Sequence, residues 1–204
     1  MTKIKICGLV RIQDIEAVNE VLPDYIGFVF AKSRRQVSSE QATELRRQLD
    51  PHIKAAGVFV NAPLGDIAEL CRENIIDIVQ LHGDENTEYL SALCEQISKP
   101  VIKAVRVQST RQITEAQTLP CDYLLLDTFQ NDMYGGSGKV FDRSLIPMLS
   151  KPFFLAGGLD AKNIADAIAD CHPYCIDVSS GAETDGMKDR EKIRGIVKIV
   201  RGEE

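Results

Sequence analysis

Two side chains in this 204-residue chain stand where a proton could be moved. Cys7 closes the run Lys3 to Cys7 and precedes Gly8. A thiolate there would abstract a proton or attack an electrophile, provided a positive field lowers its pKa, and core packing is the alternative for a lone cysteine. Asp127 follows the apolar run Tyr123 to Leu126, with Thr128 beside it. A carboxylate at a strand end serves as general acid or base if partial burial raises its pKa, and the alternative is a turn or capping aspartate. Asp177 falls inside an apolar run, which suits a residue facing a helix or completing a polar pair. His82, in His82-Gly83-Asp84-Glu85, is the one histidine of three at the end of such a run. It would bind substrate or orient a neighbour, or simply lead into an acidic first helical turn. Arg35 lies past the second apolar run and has the fork geometry that grips a carboxylate, with Lys32 and Arg34 beside it as solvated charges.

Two glycine-containing stretches suit an anion. Gly157-Gly158 and Ser179-Ser180-Gly181 each follow an apolar run and each precede a predicted helix. Glycine lets backbone N–H groups approach an anion, and a helix N-terminus adds a favourable dipole, so Gly157, Gly158, Ser180 and Gly181 are candidate phosphate ligands. Gly135-Gly136-Ser137-Gly138, before Lys139, lacks the pattern of a nucleotide-binding loop and is expected to be a mobile lid. There is no spaced His/Cys/Asp cluster, so no metal is expected. The remaining cysteines, 71, 94, 121, 171 and 175, are expected to be reduced and structural.

These residues need a frame that brings them together. Short β-branched runs occur at 3–7, 25–30, 54–60, 76–81, 101–105, 123–126, 152–156 and 175–178. Runs without alternation suit parallel strands buried on both faces. Between many of them lie helical stripes such as Ile12/Ile15/Val18/Val21, Ala42/Leu45/Leu49 and Tyr89/Leu93/Ile97. The order is β then α, repeated, which predicts an α/β fold of (β/α)₈ TIM-barrel type as a single domain over residues 1–204. A doubly wound open sheet would need polar edge strands, and no run is polar enough. The connection after the sixth strand is the weakest, with 143–149 offering barely two turns. In a barrel, the residues just past the strand ends converge on one mouth, which would gather Asn61, Lys103 and Arg106 with the candidates above.

Composition narrows the function. With 24 Lys+Arg against 30 Asp+Glu the net charge is −6, which disfavours nucleic-acid binding. The longest apolar runs fall far short of the roughly 18 residues needed to span a bilayer, and the N-terminus lacks a secretory signal, so a cytoplasmic protein without membrane contact is expected.

Several motifs together resemble one family. They are the K-I-C-G of 5–8, G-F-V-F at 27–30 leading to Arg35, Q-L-H-G-D-E at 80–85, L-L-L-D-T at 124–128, G-G-S-G-K-x-F-D at 135–142, A-G-G-L-x-x-x-N at 156–163 and D-V-S-S-G-x-E at 177–183. In this order, over essentially the whole chain, they look like the phosphoribosylanthranilate isomerase family of tryptophan biosynthesis. The resemblance implies a metal-free, cofactor-free Amadori rearrangement of N-(5-phosphoribosyl)anthranilate to 1-(2-carboxyphenylamino)-1-deoxyribulose 5-phosphate. It implies Cys7 as general base, Asp127 as general acid and Arg35 for the anthranilate carboxylate. Gly158, Ser180, Gly181 and neighbouring backbone would hold the phosphate, and His82 would line the pocket without being essential to proton transfer. The only partner expected is a small phosphosugar, with the chain a monomer or homodimer. Where the family often has Ser-Pro-Arg this chain reads Ser33-Arg34-Arg35, so Arg34 is an alternative for the carboxylate. Another phosphosugar barrel enzyme is the rival reading, but an epimerase would want more His and Asp ligands at strand ends and a histidine-pathway isomerase an acid at position 7. A binding protein without chemistry would have lost Cys7 or Asp127.

Overall fold

The computed structural model describes residues 1–128 and 142–203. The glycine stretch 135–138, expected to form a lid, lies outside the described residues. Eight strands form one closed barrel in chain order: β1 Lys3–Cys7, β2 Tyr25–Val29, β3 Lys54–Phe59, β4 Ile78–Leu81, β5 Val101–Val107, β6 Tyr123–Thr128, β7 Phe153–Leu155 and β8 Cys175–Val178. All neighbours are parallel, and Ile6 pairs with both Ile26 on β2 and Val178 on β8, which closes the ring. Around it run α1 Ile12–Val21, α2 Ser39–Gln48, α3 Leu64–Arg72, α4 Thr87–Gln96, α5 Thr110–Ala116, α6 Ile164–Cys171 and α7 Arg190–Arg201. Between β6 and β7 the described residues hold a short 3-10 turn, Arg143–Leu145, in place of a helix. Among the described residues no helix is long and apolar enough to cross a membrane.

The two-residue period of a strand explains how the barrel is filled and how its site is made. Ile4, Ile6, Leu124, Leu126, Ile176 and Val178 point one way, into the main core between barrel and helices. Each fully buried aliphatic side chain of this kind contributes about 1.5–3 kcal/mol. The alternate residues Tyr25, Ile78, Ile102, Leu125, Phe154 and Cys175 pack together inside the ring. The next inward positions along the same strands are polar: Gln80 after Ile78, Asp127 after Leu125 and Asp177 after Cys175. The interior is thus apolar at one end and polar towards the C-terminal ends of the strands.

Three features depart from expectation. β6 continues through Asp127 and Thr128 because both are paired, with Arg106 and Val107 of β5. Helix α5 follows no stripe read in the sequence, and the helix expected directly after Gly181 starts only at Arg190, as α7. In α7 the side chain of Asp189 accepts from the N–H groups of Glu191 and Lys192, and Ile193, Ile196, Val197 and Val200 form the buried stripe. Its many charges mask that stripe in the sequence. Finally, Ser179-Ser180-Gly181 leads into a 3-10 turn, Ser180–Ala182, followed by a small hairpin rather than a helix. The hairpin pairs β9 Glu183–Thr184 with β10 Met187–Lys188 around Asp185 (φ 51°) and Gly186 (φ 80°), the positive-φ pair that favours Asp-Gly in tight hairpins.

Candidate active site

A cavity of about 880 Å³ opens at the C-terminal mouth of the barrel, and Cys7, Arg35, His82, Asp127, Gly158 and Ser180 all line it. Gly157, Gln80 and Asp177 line it as well. Residues from β1, β4, β6 and β8 and from the loop after β7 therefore meet in one space, as the strand-end argument predicts. Lys103 and Arg106, also expected at the mouth, are not part of its lining. Lys103 donates to the Gly83 carbonyl and to Glu85 Oε2, both at 2.7 Å, and so braces the turn that follows β4. Asn61, just past β3, supports the same turn by accepting from the Asp84 N–H at 2.9 Å.

Cys7 sits above a buried ion pair. Lys5, fully buried one inward position below it, donates to Asp177 Oδ2 at 2.8 Å across the β1–β8 seam. Asp177 thus completes a polar pair, one of the two roles its position allowed. A Cβ at Gly27 would lie 2.6 Å from Cys7 Sγ, so the glycine on β2 is what leaves room for the sulfur. Burial pushes the Cys7 thiol above its ordinary pKa, the Lys5 ammonium pulls it down, Asp177 raises it and Lys188 lowers it, with the net direction upward. The required positive field is present and is outweighed by burial.

On the far side, Asp127 accepts from the Thr128 N–H at 2.7 Å on Oδ1 and contacts His82 Nε2 at 3.2 Å on Oδ2. The Gln80 amide nitrogen lies 3.0 Å from His82 Nδ1. Both ring nitrogens of His82 are therefore engaged, Nδ1 by Gln80 and Nε2 by Asp127. His82 lines the cavity, as expected, and is also in direct contact with the acid candidate. Two buried acceptors, Gln80 Oε1 and Asp177 Oδ1, have no partner among the described residues. Both belong to residues of the cavity wall.

Arg35 crosses Gly8 to reach the cavity. Gly8 has φ 86°, and a Cβ there would overlap Arg35 Cδ, so glycine is needed on both counts. The guanidinium is held by Glu183, a residue the sequence reading left without a role although it ends the D-V-S-S-G-x-E motif. Arg35 Nε donates to Oε1 at 2.6 Å and Nη2 to Oε2 at 3.0 Å. Arg34, the alternative anchor, donates to the same carboxylate at 2.6 Å but is more than half exposed.

The two glycine loops lie side by side. Gly157 takes φ 86° and Gly158 φ 63°, so their backbone turns in a way that favours glycine. Gly181 is outside the cavity wall itself, but a Cβ there would overlap the Leu159 carbonyl oxygen, so its small size lets the loop after β8 pack on the loop after β7. Ser180 and Gly158 then face the cavity from adjacent loops.

A closed barrel of eight parallel strands whose mouth gathers a thiol, a carboxylate–imidazole pair, an arginine and two glycine loops defines a (β/α)₈ enzyme of acid–base type. Comparison with known proteins narrows the class. The family model for N-(5'phosphoribosyl)anthranilate (PRA) isomerase matches residues 4–199. An N-(5'-phosphoribosyl)anthranilate isomerase of Endomicrobium trichonymphae is 50% identical over 98% of this chain and 99% of its own. The phosphoribosyl anthranilate isomerase of Thermotoga maritima superposes with a TM-score of 0.87 at 34% identity, covering 99% of this chain and 100% of that one. A further isomerase structure, solved with reduced 1-(o-carboxyphenylamino)-1-deoxyribulose 5-phosphate, gives 0.82 at 33% identity over 99% of this chain and 100% of that one. The chain belongs to the PRA isomerase family.

Proposed function

We propose that this mouth carries out the Amadori rearrangement of N-(5-phosphoribosyl)anthranilate within tryptophan biosynthesis, with Asp127 as general acid and Cys7 as general base. The isomerase activity itself follows from family membership, and the assignment of roles rests on the position of these two groups in the wall of one cavity. Asp127 gives a proton to the furanose ring oxygen as the bond from that oxygen to C1 breaks, and the nitrogen lone pair forms the C1=N bond of a protonated Schiff base. Cys7, as thiolate, takes the proton from C2. The C2–H electron pair becomes a C1=C2 bond while the C=N pair returns to nitrogen, giving an enolamine. Loss of the C2 hydroxyl proton and protonation at C1 then yield the ketone. One group must give and another must take, and each positioned proton transfer contributes about 10²–10⁴-fold.

The surroundings suit those duties. Asp127 accepts from the Thr128 N–H and contacts His82 Nε2, so both of its oxygens are held in place for a proton transfer. Lys5 and Lys188 favour the thiolate. Gln80 Oε1 and Asp177 Oδ1 are acceptors in want of donors, and a ribosyl chain offers hydroxyls. Arg35 takes the anthranilate carboxylate, and Gly157, Gly158, Ser180 and the loop shaped by Gly181 take the phosphate through backbone N–H groups.

The test is conversion of freshly generated substrate, followed as loss of anthranilate fluorescence with EDTA present and spontaneous decay subtracted. Wild-type protein should convert it rapidly. Asp127→Asn and Cys7→Ser should each lower kcat by roughly 10³-fold or more while leaving affinity for the reduced product analogue within a few-fold. Near-normal kcat in either variant would return that residue to a structural role.

A further inference from the structure

The mouth holds a second polar assembly, centred on Glu183, which shares Lys188 with the surroundings of Cys7. Glu183 is buried at the start of the hairpin after β8 and receives three cations: Arg34 at 2.6 Å, Arg35 at 2.6 and 3.0 Å, and Lys188 at 2.8 Å. Burial alone would raise the Glu183 carboxyl, but hydrogen bonds from Arg35 and Lys188 outweigh it and hold it below the ordinary range. Three cations on one carboxylate leave a formal local charge of 3 − 1 = +2 for an anionic ligand.

The geometry says which corner is left. Arg35 presents its Nε–Nη2 edge to Glu183, so Nη1, which makes no hydrogen bond among the described residues, is the corner open to a ligand. Glu183 is itself fixed: its carbonyl accepts from Lys192 Nζ at 2.6 Å, and the Asp185-Gly186 turn returns Lys188 to its carboxylate. Lys188 Nζ also donates to the Ser179 carbonyl at 2.9 Å, and Ser179 Oγ donates to the Cys7 carbonyl at 3.1 Å. An unbroken chain of contacts thus joins the arginine, the loop after β8 and the strand that bears Cys7.

We propose that Glu183 is a positioning residue for substrate selection: it locks Arg35 over Gly8 so that Nη1 meets an aryl carboxylate beside Cys7. This rests on the reading that Arg35 takes that carboxylate. An arginine held in place before the ligand arrives loses its rotamer freedom on folding rather than on binding, which strengthens recognition. Glu183 touches no reacting atom, so its effect belongs in KM and in selectivity, not in the proton transfers.

The experiment compares wild type, Glu183→Gln, Glu183→Asp, Arg35→Ala and Glu183→Gln/Arg35→Ala. Three readouts are used: turnover of N-(5-phosphoribosyl)anthranilate and of its aniline analogue lacking the carboxylate, calorimetric titration with anthranilate alone, and inhibition by inorganic phosphate. Glu183→Gln should raise KM for the natural substrate roughly tenfold or more, with kcat within about threefold. It should leave the aniline analogue and phosphate inhibition nearly unchanged, and should add little to Arg35→Ala. Glu183→Asp, which keeps the charge, should recover part of the loss and decides the matter if the glutamine variant fails to fold by circular dichroism. Equal losses on both substrates, losses that add to Arg35→Ala, or a fall in kcat alone would overturn the proposal. So would wild-type protein that does not bind anthranilate. Wild type that binds anthranilate through Arg35 and Glu183 but does not isomerise the phosphoribosyl compound would overturn the functional reading and leave the positioning role standing.

Discussion

The thiol proposed to take a proton from carbon sits in surroundings that resist its ionisation. Burial raises the Cys7 thiol, Lys5 offsets part of that, and the net direction is up. The sign of the consequence is definite: a base works deprotonated, so kcat/KM should rise with pH along a limb belonging to Cys7. Its midpoint should lie above the ordinary cysteine value of about 8.5. A pH–rate profile of kcat/KM checks this, and a midpoint below that value would mean that the two lysines outweigh burial in solution. Asp127, proposed as the acid, has polar partners at both oxygens, the Thr128 N–H at Oδ1 and His82 Nε2 at Oδ2.

At the scale of the element, the loops after β7 and β8 work as one unit because Gly181 lets them touch. A Cβ there would overlap the Leu159 carbonyl oxygen and stand 3.0 Å from Asp160 Cα, so backbone and not a flexible side chain would have to give way. Gly181→Ala should therefore raise KM for substrate and the inhibition constant of inorganic phosphate together, by about tenfold, with a smaller effect on kcat. Parallel steady-state and phosphate-inhibition assays check it, and an unchanged phosphate constant would show that the loop is not a phosphate site. The strands were legible because runs such as Cys175–Val178 are short, apolar and bounded by polar turns, and the site followed because its residues lie at or just past strand ends. Less was legible where tertiary pairing or charge decides. Asp127 and Thr128 are strand residues only because β5 pairs with them. The α7 stripe is interleaved with Arg190, Glu191, Lys192 and Arg194, and Glu183 shows its purpose only when the hairpin brings Lys188 back to it. Contacts across such sequence distances, Arg35 to Glu183 being the clearest, leave no local pattern.

For the whole molecule the question is what holds the ring shut where the last strand meets the first. Surface pairs between α7 and α1, such as Arg190 with Glu20 at 3.3 Å, are half exposed, and such pairs are worth about 0–1 kcal/mol. The Lys5–Asp177 pair lies at the same seam in register, Lys5 opposite Asp177, but is buried. Breaking a buried pair by removing one partner costs about 3–5 kcal/mol, because the other charge is stranded, whereas replacing both with apolar side chains is often nearly neutral. Lys5→Met should therefore lower the free energy of unfolding in urea by about that 3–5 kcal/mol, and Lys5→Met/Asp177→Leu should recover most of it. Activity should not recover with stability. The double variant removes the cation that favours the Cys7 thiolate and the Asp177 acceptor in the cavity wall, so the ring should close around a site that no longer turns over. Equal instability of the single and double variants would mean that the seam is held by strand pairing and α7 packing alone. A stable and active double variant would mean that the pair is dispensable to both. The expected split between the two measurements follows from placing a costly buried charge pair directly beneath the Cys7 sulfur, where an apolar pair would close the barrel as well but could not favour a thiolate.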